Sequence, residues 1–213
     1  MERIRVTATT LPVILYVLSG LTLLFAASQV VQIPLGSLPA DSQRLSVAPY
    51  SHFAHVLGGV LFGIIGPLQF GRVLAHKYGA LHRIMGRVFV VAGAFLSLSS
   101  LMLLWQFPDT YSALASGGRL VFGIGLGISL WMGMAAIRAR QFLRHRDWMI
   151  RSYALGMGAT LVAIVFLPIY AMTGTPPEGL WSDVMFIGSW AGCVIFAEGV
   201  VRRLNQKAQA ANA

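Results

Sequence analysis

Charge is scarce in this sequence, and negative charge scarcest. Only 11% of the 213 residues are charged, with 7 acids against 16 bases. A soluble domain carries about 25% charged residues. That deficit, with 56% hydrophobic residues and a mean hydropathy of +0.71, makes lipid the solvent and leaves no room for a separate soluble domain. Cysteine is reduced to Cys193, which excludes an intrachain disulfide and a cysteine-based metal site. No phosphate-cradling glycine loop follows a strand, no His-Glu-x-x-His is present, and the few dispersed acids offer no Ser-His-Asp set. Hydrolase and kinase chemistry are thereby set aside. The net charge of +9 does not mark a nucleic-acid binder, because the bases sit in short loops between apolar runs, where they read as topology.

What the sequence has in quantity is long apolar runs. The fold expected is an all-α integral membrane protein forming a single transmembrane domain, 1–213. A span needs about 20 mostly apolar residues, and six are placed at about 11–31, 50–74, 84–106, 113–137, 148–172 and 181–200, with spans two to five as a four-helix core. The first run exceeds a signal-peptide core of about 7–15 residues and is read as a retained helix. Pro34, Pro39 and the polar run from Asp41 to Arg44 end the first span. Pro108-Asp109 and the stretch from Thr173 to Gly179 separate later ones. Every lysine and arginine except Arg44 and Arg119 falls on one side of this arrangement. Asp41, Asp109, Glu178 and Asp183 fall on the other, so both termini are expected in the cytoplasm.

Glycines cluster on spans two and four, with Gly59/Gly63 and Gly123/Gly127 each one helical turn apart. Such faces let helices approach closely, or make room for a flat cofactor. A short echo joins Leu81-His82-Arg83 and Arg87 to His145-Arg146 and Arg151, each placing a histidine before a helix that enters from the basic side.

Ionisable side chains in a membrane are the first functional candidates. An outer layer holds His52 and His55, one turn apart on span two, with Tyr50, Gln106, Asp109 and Arg119 at similar depth. The histidine pair reads as a transition-metal site, as a source of an axial haem ligand, or as interfacial groups hydrogen-bonded to neighbouring helices. An inner layer holds His76, His82, His145, Arg83, Arg87, Arg146, Asp147, Arg151 and Glu198. If spans three and five face each other, His82 and His145 are placed to clamp a haem iron. Arg83, Arg87 and Arg151 would then meet haem propionates, a quinone or a lipid phosphate. The plainer reading is that these arginines set topology. Asp147 is expected as a helix N-cap and a partner of Arg151. Glu198 is expected in an ion pair with Arg83, Arg87 or Arg151, or in a proton relay.

The stretches Ser51-His52-Phe53-Ala54-His55, Gly66-Pro67-Leu68-Gln69-Phe70, His82-Arg83-Ile84-Met85-Gly86-Arg87 and the run from His145 to Ala154, with Ala197-Glu198, resemble a bacterial family of predicted multi-span membrane proteins of unknown function. The resemblance covers roughly 50–200, and its His-Arg-x-Trp-Met-x-Arg-Ser element is the specific part. Ile164 stands where that family often has an arginine, so no role transfers there. A more distant similarity is to transmembrane cytochromes b, in which histidines on successive helices ligate two haems. It implies an inner haem on His82 and His145, with His55 as an outer ligand, although span four lacks a histidine. The leading expectation is a haem b-binding or quinone-linked electron-transfer protein of the bacterial inner membrane. The alternatives are a cofactor-free accessory subunit, partnered by other membrane subunits or by its own copies, and a small-solute or proton-coupled transporter using Glu198 and His55.

Overall fold

The computed structural model describes residues 10–38, 43–108, 112–175 and 177–210. Arg3, Arg5, Pro39, Asp41, Asp109 and Pro176 lie outside them. Eight α-helices and one 3-10 turn make up the described chain, which contains no strand among its described residues. They are α1 (Thr10–Gln32), the 3-10 turn Gln43–Val47, α2 (Pro49–Gln69), α3 (Arg72–Lys77), α4 (Gly79–Gln106), α5 (Ala113–Arg138), α6 (Phe142–Gly156), α7 (Gly158–Thr173) and α8 (Gly179–Ala210). Six helical stretches are long and apolar enough to cross a membrane, with α6 and α7 counting together as the fifth. Large apolar side chains such as Leu24, Trp105, Trp131 and Phe196 are mostly exposed, as expected where the surroundings are lipid.

The helices outrun the apolar windows that predict them. α4 begins at Gly79 rather than near 84, α6 at Phe142 rather than near 148, and α8 continues to Ala210 rather than stopping near 200. Arginine, lysine, glutamine and alanine all favour helix, so the backbone keeps its coil where hydropathy has already fallen. Span two does the reverse and ends at Gln69 instead of 74. Pro67 removes one backbone donor from its last turn. Gly71 then takes an extended conformation (φ −73°, ψ 119°) before the short α3.

The chain divides into two compact units, residues 1–96 and 97–213. In the first, α2 packs on α1 and on the opening half of α4. Gly58 makes the second contact: a Cβ there would lie 2.9 Å from the Ala92 carbonyl oxygen and 3.1 Å from the Leu96 nitrogen. Just along the helices, Phe62 stacks on Phe89 with ring centroids 4.2 Å apart. The Tyr16 hydroxyl donates to the Ile64 carbonyl and ties α1 to α2.

In the second unit Gly123 serves a similar purpose. A Cβ there would lie 2.9 Å from Leu101 Cδ2 and 3.0 Å from Ser100 Oγ, and its carbonyl accepts a 2.8 Å bond from Ser97. At Gly58 and Gly123, therefore, the missing side chains admit a neighbouring helix rather than a flat cofactor. Ser112 caps α5 by accepting from the Ala115 amide at 3.0 Å, which satisfies one of the donors a helix start leaves open. The same hydroxyl donates to Asp183 of α8.

The fifth span is broken at Met157, between Gly156 and Gly158. The Trp190 indole occupies the space a Cβ on Gly158 would need. Trp190 also donates from Nε1 to the Leu155 carbonyl at 2.8 Å. The interruption is thus filled and hydrogen-bonded by α8.

Candidate functional site

The polar centre of the second unit is built on α6. A tight reversal delivers it: Arg140 takes a left-handed φ of 58°, and the Gln141 amide folds back on the Ala136 carbonyl at 2.9 Å. α6 therefore returns directly along α5. Its first turns meet Gly133, where an added Cβ would collide with the Met149 side chain. With no side chain in the way, the Gly133 carbonyl accepts a 2.8 Å hydrogen bond from His145 Nδ1. A carbonyl only accepts, so Nδ1 carries a proton, and the tautomer this favours has its lone pair on Nε2. This backbone-fixed tautomer is the usual support of a metal-ligating histidine.

The following residues of α6 turn to α8. Asp147 is buried. Its Oδ1 accepts from Arg146 Nε at 3.0 Å and NH2 at 2.7 Å, and its Oδ2 accepts from Asn205 Nδ2 at 2.9 Å. Arg146 also donates to Asn205 Oδ1, which closes a ring of three side chains. One turn further on, Arg151 grips Glu198 with two bonds, Nε to Oε1 at 2.5 Å and NH2 to Oε2 at 3.1 Å. Its guanidinium lies 4.8 Å from the centre of the Trp148 ring. Glu198 and Asn205 are seven residues apart, two turns on one face of α8. α6 and α8 are thus clamped at two levels by charge-assisted bonds.

Two sequence expectations are corrected here. Asp147 is not an N-cap, because α6 starts five residues earlier, with Gln141 in the cap position. Its hydrogen-bonded partners are Arg146 and Asn205 rather than Arg151. Of the three arginines expected to pair with Glu198, Arg151 is the one that does. Asn205, Gly133 and Gln29 carry site contacts that charge and histidine patterning missed. Asn205 and Gln29 are neutral, and Gly133 contributes only its backbone.

The remaining candidates are distributed between the units. In the first, His52 is buried on α2 and donates from Nε2 to Gln29 Oε1 of α1 at 3.1 Å. This is the hydrogen-bonded reading of that residue. His55 is half-buried on the same helix, and His82, Arg83 and Arg87 lie on the opening turns of α4, the two arginines exposed. In the second unit the Arg119 guanidinium lies 4.2 Å from the centre of the Phe186 ring. Phe186 packs in turn on Trp190 at 4.5 Å, and Trp190 stacks on Phe122 at 5.6 Å. Among the described residues no group of three or more His, Cys, Asp or Glu side chains comes together to hold a metal ion.

Six helical stretches long and apolar enough to cross a membrane define a multi-pass helical membrane protein. Residues 52–201 match the model of the family described as predicted membrane protein (DUF2306), and the chain belongs to that family. No curated protein and no solved structure matches it.

Proposed function

We propose that the protein is an electron-transfer component of the bacterial cytoplasmic membrane, oriented with its basic loops and both termini inside, and that His145 is a ligand to haem b. One observation carries this reading: His145 Nδ1 is held by the Gly133 carbonyl at 2.8 Å, which fixes the ring and leaves Nε2 as the donor atom. Bound haem would supply a one-electron couple. His82, the second ligand expected from the sequence, lies in the first unit, so the reading is carried by His145. Arg151 fits a different task from the propionate contact expected of it. Both edges of its guanidinium that face α8 are taken by Glu198, so it positions α6, and His145 with it.

The test is a spectrum of the purified protein before and after dithionite. A Soret band and a sharpened α-band in the wild type, lost or shifted in His145→Ala, support the reading. Their absence from protein purified without haem loss overturns it.

A second reading is favoured by the closed pairing of Arg146 and Arg151. These charges act as braces, as in a cofactor-free accessory subunit that joins other membrane subunits or its own copies. A haem-free protein that leaves the membrane only with a second polypeptide would favour it. A proton-coupled transporter using Glu198 and His55 has less support, because Glu198 is engaged by Arg151. Unchanged uptake in Glu198→Gln would remove that idea's basis.

A further inference from the structure

We infer that the first unit binds an anionic phospholipid, with one acyl chain in a groove between α2 and α4 and its phosphate on Arg87. The groove has a volume of about 460 Å³. Phe53, Leu57 and Leu61 wall it on α2, and Val88, Val91 and Phe95 on α4. Its floor is the Gly58–Ala92 crossing, where the helices touch backbone to backbone. Among the described residues, Arg87 is the only charged one that lines it. The helices run antiparallel here, so Leu61 lies towards the Arg87 end and Phe53 beside Phe95 at the other. An apolar trough capped by one cation is complementary to a hydrocarbon chain with an anionic head.

Depth agrees with this assignment. α4 has 28 residues, about 42 Å of helix against a hydrocarbon layer of about 30 Å. Counted back from Gln106, Arg87 lies about 28 Å away, at the edge of the hydrocarbon layer, where a long side chain reaches the lipid phosphates. From there the groove runs inward for about 12 Å, the rise of eight helical residues.

The charge also has to be met. Arg87 is exposed, and Arg83, one turn away on the same helix face, is exposed as well. Like charges at that spacing repel, and an arginine at the edge of the hydrocarbon seeks an anion. The first 96 residues contain two acids, Glu2 and Asp41, neither among the described residues. Within the described part of this unit there is no carboxylate to answer these arginines. This inference does not rest on the haem reading and concerns a different unit.

The experiment is native mass spectrometry of the full-length protein in a neutral detergent, titrated with phosphatidylglycerol or with phosphatidylcholine of the same chains. Phosphatidylglycerol should be retained in preference. Arg87→Gln should weaken its retention about five-fold, while Arg87→Lys largely preserves it. Ala54→Trp fills the groove without touching the cation and should lower retention of the same lipid. Equal retention of both lipids by the wild type, an unaltered Arg87→Gln protein, or full displacement of the lipid by inorganic phosphate would overturn the assignment.

Discussion

In the second unit, Arg146 and Arg151 each end on a carboxylate, Asp147 and Glu198; the Arg151–Glu198 pair joins α6 to α8 directly, and the Arg146–Asp147 pair does so through Asn205. In the first unit, Arg83 and Arg87 occupy similar positions near the start of a membrane helix, yet meet no carboxylate among that unit's described residues. The two sets look alike in sequence, each a histidine followed by arginines at the entry of a span. What separates them is whether the same unit sets an acid within reach, beside the arginine or on a neighbouring helix. Where it does, arginine is a brace inside the protein. Where it does not, we assign the cation a partner from the bilayer.

This contrast can be broken by substitution. The largest effect should come from Arg151→Leu, which strips Glu198 of its partner. Fully buried pairs lose about 3–5 kcal/mol when one member goes. The Arg151 and Glu198 side chains retain 25% and 35% exposure, so screening brings the expected loss to about 1–3 kcal/mol. Thermal unfolding in detergent reads this as a lower Tm, and Glu198→Leu in the same chain should restore part of it. Gly58→Leu follows, at about 1–3 kcal/mol for overpacking. The Ala92 carbonyl cannot swing aside as a side chain would, so α2 and α4 must separate. The same assay on Gly59→Leu, where an added Cβ meets only Leu96 Cδ1 at 3.7 Å, should show a smaller loss. His52→Leu orphans Gln29 and should cost about 1–3 kcal/mol, while His52→Leu with Gln29→Leu should be closer to neutral. Smallest is Arg87→Gln, expected within about 0.5 kcal/mol of the wild type in Tm, despite weakening lipid retention. If Arg87→Gln unfolds the protein as readily as Arg151→Leu does, the contrast fails.

Much of the architecture was legible because crossing a membrane imposes long apolar runs, and those survive in any hydropathy window. Helix ends were less legible. A window reports where lipid begins, whereas α8 continues past Arg202 and Arg203 to Ala210, bringing Asn205 to Asp147. The break at Met157 was also hidden, since it lies inside an apolar run and depends on Trp190, more than thirty residues away, filling the space beside Gly158. At the site, histidine and arginine spacing pointed to α6, and the Glu198 pairing was among the expected ones. The support of His145 was not, because Gly133 contributes a carbonyl, which every residue has. Only the close approach of α6 makes that carbonyl special, and close approach is a property of packing.

The most direct measurement of the central claim is chemical extraction of haem from the purified full-length protein, quantified against the polypeptide. Haem b stoichiometric with the wild-type chain, and lost from His145→Ala while that variant keeps its Tm, is the predicted result. A folded wild-type protein that contains no haem when produced in haem-sufficient cells would contradict it.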